Sequence, residues 1–311
     1  MKGDKVMEDF SLMQKRIQAD KEVRKIIESG EVPVVDLSIF DCLDNLNISD
    51  DNKVKAENTI YEYQNLLDML KVLPPLLRTK YLLVSKNADI IDNQVLEEED
   101  SFLISLQREI EYTSSLDETI NHYGRPYDEK TFIKNHDLIL ADTLKEDQMG
   151  LRENNLKFVG SWENGERKIQ YFPIISDDVE IALNRFLNYY NDNINNIDNE
   201  YDAIVKPIIY HGLLAALQLF KDGNTRYART IQHVELWGML NNIVSDDIDL
   251  PLIYATRQYF PFRSAYRDLI KDIAINSDNS WDNWINFNIS RIQDSIYKSE
   301  ENIKVLQRKY R

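Results

Sequence analysis

Apolar residues recur at helical spacing along most of this chain, and this pattern restricts the possible folds more than any other feature. They stand at i, i+3, i+4 and i+7 over long segments, which is the pattern of one buried helix face. The chain has only 9 Gly and 8 Pro in 311 residues, so few positions interrupt these segments. Strand signals are scarce. We therefore predict a mainly helical, all-α fold.

Charge-rich and Pro- or Gly-containing stretches mark the predicted helix ends in the N-terminal part. The prediction there is a helix over 7–29 stopped by Gly30, a loop over 44–53, a helix over 57–73 stopped at Pro74, and a third long helix from about Glu97 to His122. These helices could form a subdomain of their own. Accordingly, we divide the chain into an N-terminal helical region (1–105), a core (106–300) and a C-terminal helix end (301–311).

One segment departs from the helical pattern. Asn164-Gly165 is flanked by Val, Ile, Tyr, Phe and Trp residues, and Asn-Gly is a strong signal for a two-residue hairpin turn because both positions need positive φ. We predict a β-hairpin at about 157–172. A helix should follow it, with Ser176 as N-cap.

The balance of charges limits the classes of partner. The formal net charge is -16, so nucleic acid and anionic lipid should be repelled overall, and we expect neither as a partner. The single cysteine, Cys42, rules out an internal disulfide framework, and the four histidines show no zinc spacing. The first residues resemble no signal peptide, and no segment has the length of a membrane span. We therefore expect a cytoplasmic protein.

The sequence FKDGNTRYAR, residues 220–229, interrupts the most hydrophobic part of the chain. Gly223 suits a left-handed helix end, and Asn224 and Thr225 suit the start of the next helix, so a plain helix–turn–helix explains part of the pattern. It explains neither Asp222 nor the pair Arg226 and Arg229. The functional interpretation is an anion site: backbone N–H groups at a helix N-terminus, two guanidinium donors, and Asp222 holding Mg²⁺.

The same stretch resembles the signature of the Fic (Fido) family, His-x-Phe-x-(Asp/Glu)-Gly-Asn-(Gly/Lys)-Arg-x-x-Arg. The matching positions are Phe220, Asp222, Gly223, Asn224, Arg226 and Arg229. The resemblance extends over about 110–295. It includes KFVGSWENGERKIQYFP as the family's hairpin "flap", PLIYATRQYF and RSAYRDL downstream, and WDNWINFN near the end.

The resemblance implies a function and a set of roles. Family enzymes transfer AMP from ATP to a Ser, Thr or Tyr hydroxyl of a target protein. The catalytic positions would be Gln218, Asp222, Asn224 and Arg226. The nucleotide would contact Gly223, Asn224, Thr225, Arg226 and Arg229, with Mg²⁺ on Asp222 and ATP as substrate or ligand. An extended segment of the target protein would add to the hairpin at 157–172. Homodimerisation is common among relatives and stays open here.

An upstream element also resembles the family. Many members carry an inhibitory helix with (Ser/Thr)-x-x-x-Glu-(Gly/Asn), whose glutamate pairs with the second signature arginine. Here SSLDET supplies Ser114 and Glu118, with Thr119 in the last position. Ser and Glu at this spacing are otherwise typical of an exposed helix face. The resemblance implies that Glu118 pairs with Arg229 and obstructs the γ-phosphate of ATP.

The chain departs from the family pattern at the residue that matters most for catalysis. The signature histidine, which takes the proton of the target hydroxyl, is replaced by Gln218, and two neighbouring positions differ as Leu219 and Thr225. A carboxamide cannot accept that proton near neutral pH, so general-base catalysis worth roughly 10²–10⁴-fold should be lost. His211 lies two helical turns earlier, about 10 Å away along the axis, and is better explained as a core histidine.

Three functional hypotheses remain open from the sequence. The first is a Fic-type nucleotide-binding protein with weak or altered AMP transfer. The second is a catalytically inactive pseudoenzyme that regulates by binding a nucleotide or a protein. The third, a different transfer or the removal of AMP with the help of Glu118, has no positive support in the sequence.

Overall fold

The computed structural model describes residues 2–43, 46–97, 106–138, 149–163, 166–194, 196–244, 248–276 and 279–309. The helices are α1 (Lys2–Ser29), α2 (Ser38–Asp41), α3 (Asp50–Lys71), α4 (Pro75–Glu97), α5 (Leu106–His122), α6 (Glu129–Asp137), α7 (Val179–Asn193), α8 (Asp202–Leu217), α9 (Asn224–Val244), α10 (Thr256–Tyr259), α11 (Arg263–Ala274) and α12 (Ser280–Lys309). The strands are β1 (Val159–Glu163) and β2 (Glu166–Tyr171). The predicted fold class, mainly helical with one hairpin, is confirmed.

The hairpin is antiparallel, with its register running from Val159 opposite Tyr171 to Glu163 opposite Glu166 and an irregularity after Val159. This confirms the hairpin predicted at about 157–172, whereas the predicted Asn164-Gly165 turn lies outside the described residues. At the far end of β2, Phe172 pairs in parallel with Val34. The chain leaving α1 is thereby attached to the base of the hairpin.

α8 is the centre of the core. Apart from Lys206, every residue from Asp202 to Leu217 is buried, so this helix packs on all sides, as the apolar sequence predicts. It lies against α9, α11 and α12. Gly212 allows the close approach of α12, because a Cβ there would lie 2.8 Å from Nε1 of Trp284. Each large apolar side chain buried in this way contributes about 1.5–3 kcal/mol.

The N-terminal helices pack onto this core. α3 lies against α12, and α4 contacts α5, α9 and α10. A single hydrophobic cluster contains residues from both parts of the chain, from Val35 to Ile303. No helix within the described part of the chain is long and apolar enough to cross a membrane.

Several predicted boundaries in the N-terminal part were wrong. α3 begins at Asp50 with Ser49 as N-cap, so the last four residues of the predicted loop over 44–53 are helical. The Pro74-Pro75 pair ends α3, but it also starts α4, because proline is favoured in the first turn of a helix. The sequence analysis did not identify α4. The third predicted helix is described from Leu106, and residues 98–105 lie outside the described part.

The predicted N-cap at Ser176 was also wrong. Ser176 lies inside a short 3-10 turn, Ser176–Asp178, which precedes α7, and the residue before α7 is Asp178. The hydroxyl of Ser176 instead accepts a hydrogen bond from Arg24 at 3.3 Å. The prediction of an N-cap at Ser176 therefore lies three residues before the start of α7 at Val179. The side chain of Ser176 contacts Arg24 of α1 instead of capping this helix.

Candidate functional site

The segment between α8 and α9, residues 218–223, is the signature loop. Two of its residues have left-handed backbone conformations: Gln218 at φ 50° and Gly223 at φ 72°. Gly223 was predicted to have positive φ, and the structure agrees. The positive φ of Gln218 was not predicted, because residues with a Cβ rarely adopt a left-handed backbone conformation. These two reversals turn the chain out of the core helix and into the N-terminus of α9.

Gln218 occupies the end of α8 with both its backbone and its side chain. Its side-chain Nε2 donates to the carbonyl oxygen of Ala215 at 2.7 Å, and the residue is only 8% exposed. The last carbonyls of a helix lack intrahelical partners, so this contact caps α8. The side-chain amide of Gln218 is therefore directed back to its own helix.

Asn224 holds the signature loop closed. Its Oδ1 accepts from the backbone N–H of Phe220 at 2.8 Å, and its Nδ2 donates to the carbonyl oxygen of Phe220 at 2.8 Å. Both ends of the carboxamide are thus used across the loop, and the residue is buried. This explains why the position needs an amide: a carboxylate could accept but could not donate.

A segment that the sequence analysis missed supports the loop from behind. Leu151 and Phe220 form an antiparallel bridge, with Arg152 N–H donating to Leu219 O at 2.9 Å and Lys221 N–H donating to Gly150 O at 3.1 Å. The two segments, 150–152 and 219–221, thus pair like two short antiparallel strands. The backbone of the signature loop is fixed by this pairing.

Arg152 adds a buried clamp. Its Nε donates to the carbonyl oxygen of Gln218 at 2.6 Å, and Nη2 donates to the carbonyl oxygen of Ile174. Burial lowers the pKa of Arg152 to about 10, so the guanidinium stays charged at neutral pH. Its position in the sequence, 66 residues before Gln218, gave no signal of this contact.

His136 joins α6 to the same loop. Its Nε2 lies 2.8 Å from the carbonyl oxygen of Asp222, and its Nδ1 lies 3.0 Å from Oδ1 of Asp137. The ring stacks on Phe220 at 3.5 Å between centroids. Burial lowers the pKa of His136, and the carboxylate of Asp137 partly opposes this. The spacing of the four histidines argued against a zinc site but gave no sign of these contacts of His136.

The charged groups of the signature lie at different depths. The Asp222 side chain is half exposed; its Oδ1 accepts from the backbone N–H of Gly223 at 2.6 Å and lies 3.8 Å from Nη2 of Arg226. The Arg226 side chain is 17% exposed. Arg229, one turn further along α9, is fully buried. Thr225 lies in the first turn of α9, where backbone N–H groups lack intrahelical acceptors.

His211 is a core histidine, as expected. It is fully buried, with Nδ1 2.7 Å from Oε1 of Gln232 and Nε2 2.8 Å from the hydroxyl of Tyr266. The same hydroxyl lies 3.4 Å from Nη1 of Arg229. Both ring nitrogens of His211 therefore have hydrogen-bond partners, and one of these partners, Tyr266, also contacts Arg229.

The helix that was predicted to be inhibitory, with Ser114 and Glu118, is α5. Ser114 is exposed, while the Glu118 side chain is 42% exposed and lies 3.6 Å from Nζ of Lys134 on α6. Its neighbour Thr119 is buried and donates to the carbonyl oxygen of Ser115 at 2.8 Å. α5 packs against α9, so Glu118 belongs to the helix that neighbours the signature arginines.

Comparisons with known proteins relate part of the chain to a described family and its fold to solved structures. Residues 126–236 match the model of the Fic/DOC family. A Fic domain containing signaling protein from Bacteroides thetaiotaomicron VPI-5482 superposes with a TM-score of 0.57 at 15% identity, covering 80% of this chain and 97% of the other. Fic-1 (residues 134–508) from C. elegans gives a TM-score of 0.49 at 16% identity, with coverages of 80% and 73%. No curated protein sequence matches the chain.

Proposed function

We propose, on the premise that residues 126–236 form a Fic/DOC domain, that this protein binds a Mg²⁺–nucleotide such as ATP at the signature loop. Any transfer of AMP to a Ser, Thr or Tyr hydroxyl of a target protein would be weak or altered. The observation that supports this most directly is the arrangement at the start of α9. There Asp222 is half exposed beside Arg226, at the N-terminus of a 21-residue helix.

Elementary electrostatics favours a phosphate at this place. The first-turn N–H groups of α9 carry the positive end of the helix dipole, and the Arg226 guanidinium adds charge-assisted donors. Gly223, with its positive φ, shapes the backbone that leads into this turn. Asn224 keeps the loop closed, and Thr225 adds a hydroxyl where the family has glycine. Together these residues would receive the phosphates.

The protein alone supplies too few ligands for Mg²⁺, and the phosphates of a bound nucleotide would have to supply the others. Asp222 supplies one accessible carboxylate, and no group of three or more His, Cys, Asp or Glu among the described residues is placed to hold a metal ion. Mg²⁺ commonly takes one or two carboxylates plus substrate phosphates and waters. When bound, it would neutralise phosphate charge. We therefore assign Asp222 as the protein ligand and the phosphates as the remainder.

Catalysis is the weak part of the site. In AMP transfer, the hydroxyl oxygen of the target attacks the α-phosphorus, pyrophosphate leaves, and the hydroxyl proton needs an acceptor. Gln218 cannot take that proton, and its amide is already used to cap α8. His211 cannot substitute, because both its ring nitrogens have partners in the core. The expected loss is roughly 10²–10⁴-fold relative to a site with a base.

The capping role of Gln218 also supports the alternative of an inactive regulator. The Gln218 side chain is hydrogen-bonded to Ala215 O and so contributes little to orienting an incoming hydroxyl. The loop, Asp222 and the arginines would still be able to bind a nucleotide. Under this alternative the protein is a pseudoenzyme that regulates by binding a nucleotide or a partner protein and catalyses no transfer.

We further propose that α5 regulates the site and that β1–β2 receives a target. Ser114 and Glu118 would act as the inhibitory pair, with Glu118 leaving Lys134 to reach Arg229. A target segment would pair with β1, since the chain at Val34 already pairs beside the end of β2. A cytoplasmic location and a homodimer remain expectations of this proposal.

The first test is calorimetric binding of Mg²⁺–ATP to the wild type and to the variants Glu118→Gly and Arg226→Ala, with Arg125→Ala as control. Arg125 is exposed and carries the same charge. We expect binding that Glu118→Gly strengthens and Arg226→Ala abolishes. No binding by either the wild type or Glu118→Gly would refute the proposal.

The second test follows transfer of label from α-labelled Mg²⁺–ATP, both to the protein itself and in host lysate. It compares Glu118→Gly with the double variant Glu118→Gly, Gln218→His. Transfer by the double variant alone would indicate a nucleotide site without its base. Comparable transfer by Glu118→Gly would require another proton acceptor near residue 218.

A further inference from the structure

Tyr266, on α11, lies between the second signature arginine and the core histidine of α8. Its hydroxyl is 2.8 Å from Nε2 of His211 and 3.4 Å from Nη1 of Arg229. All three residues are buried, and Tyr266 itself is 5% exposed. Positions up to 55 residues apart in sequence are therefore brought into one line of polar groups.

The donors and acceptors in this line can be assigned. Burial, reinforced by the charge of Arg229, lowers the pKa of His211 well below its usual value, so its ring is neutral and carries one N–H. Oε1 of Gln232, 2.7 Å from Nδ1, is an acceptor, which places that hydrogen on Nδ1. Nε2 is consequently the acceptor for the hydroxyl hydrogen of Tyr266.

The hydroxyl oxygen of Tyr266 then presents lone pairs to Arg229. A guanidinium has only donors. Because the hydroxyl hydrogen of Tyr266 is directed at His211, its oxygen can accept from Nη1 of Arg229 at 3.4 Å. The line is anchored at its other end, because Nε2 of Gln232 donates to Oδ1 of Asn288 on α12 at 3.5 Å. Hydrogen bonds thus run from α9 through α11 and α8, back to α9 and on to α12.

We propose that Tyr266 is a positioning residue for Arg229, and that this line of hydrogen bonds sets the guanidinium for the terminal phosphates of a bound nucleotide. The proposal rests on the nucleotide-binding function proposed above. Arg229 has several rotatable bonds, and a guanidinium oriented by a hydrogen bond loses less freedom when it binds a phosphate. Tyr266 acts through Arg229 and needs no contact with the ligand.

The experiment measures the dissociation constants of Mg²⁺–ATP and of AMP by calorimetry for the wild type and Tyr266→Phe. Removing one hydroxyl should weaken ATP binding by roughly 3- to 10-fold and leave AMP binding unchanged, because AMP lacks the terminal phosphates. The same substitution in an Arg229→Ala protein should have no further effect on ATP binding.

Tyr171→Phe is the matched control. Tyr171 is fully buried, and its hydroxyl meets no hydrogen-bond partner in the described part of the chain. Equal weakening of ATP and AMP by Tyr266→Phe, or an effect that persists without Arg229, would show a merely structural tyrosine and overturn the proposal. Failure of both the wild type and Glu118→Gly to bind either nucleotide would overturn the proposed function itself. A protein that binds ATP while its Tyr266→Phe variant matches it would overturn only this inference.

Discussion

Gln218 combines a left-handed backbone with a side chain that caps its own helix. Left-handed backbone costs a residue with a Cβ about 1–2 kcal/mol, and the hydrogen bond to Ala215 O returns about 0.5–1.5 kcal/mol. The two effects are similar in size. A residue that performs both roles keeps the end of α8 and the start of the signature loop in place.

Substitution of Gln218 should separate these effects. Gln218→Ala loses the cap and keeps the unfavourable backbone, so we expect a loss of about 1 kcal/mol in the free energy of unfolding. Gln218→Gly also loses the cap but is relieved of the backbone cost, so it should recover most of the loss. Urea unfolding measures both, and equal losses for the two variants would contradict the capping interpretation.

Glu235, on α9, is a fully buried acid whose Oε1 accepts from the hydroxyl of Tyr190. Its Oε2 has no hydrogen-bond partner among the described residues. Burial raises the pKa of Glu235 to about 7, whereas the unfolded chain has the ordinary value near 4.3. Between these values the folded state binds more protons than the unfolded state, so this group makes stability fall as pH rises.

We therefore expect the wild type to lose roughly 2–3 kcal/mol more stability than Glu235→Gln between pH 5 and pH 8. Urea unfolding at the two pH values gives this difference. Glu180→Gln is the control, because Glu180 is exposed on α7 and its removal should leave the pH dependence unchanged. A wild type and Glu235→Gln with parallel pH profiles would rule out a raised pKa.

At the scale of elements, α4 is the connection between the N-terminal helices and the helix proposed to regulate the site. Lys86 on α4 pairs with Asp117 on α5, the residue before Glu118. The Lys86 side chain is 7% exposed and that of Asp117 is 48% exposed. α4 was not predicted from the sequence, because Pro74-Pro75 was interpreted only as a stop signal.

Asp117→Asn should destabilise the protein by about 1–2 kcal/mol, because it leaves the buried ammonium of Lys86 without this carboxylate. Adding Lys86→Met should recover part of the loss by removing the buried charge. The control is Asp68→Asn, whose partner Lys71 forms an exposed pair on α3 and should matter by less than about 0.5 kcal/mol. Thermal and urea unfolding test this, and an additive double variant would show that the two side chains are not coupled.

At the scale of the whole molecule, α12 connects the two parts of the chain. It is 30 residues long and packs against α3 as well as α8 and α11. Asn52 reinforces the contact, since its Nδ2 donates to the backbone oxygen of Asp282 at 2.9 Å and to Oδ1 at 2.8 Å. α12 therefore packs against helices of both parts.

We therefore expect a single unfolding transition, with the same midpoint by far-ultraviolet circular dichroism and by tryptophan fluorescence. Trp281 and Trp284 on α12 report on the core side, whereas circular dichroism reports on all helices. Two separated midpoints would show that the N-terminal helices form an independent unit.

The sequence by itself determined the helical class, the hairpin and the reversal at Gly223, because these depend on local periodicity, on the β-prone residues of the hairpin and on glycine's tolerance of positive φ. It did not identify the groups that hold the loop in place. His136, Arg152 and Tyr266 reach their partners across 86, 66 and 37 residues of chain. Only the tertiary structure decided these contacts, since local propensity carries no information about which distant backbone carbonyl or guanidinium a buried polar side chain will meet.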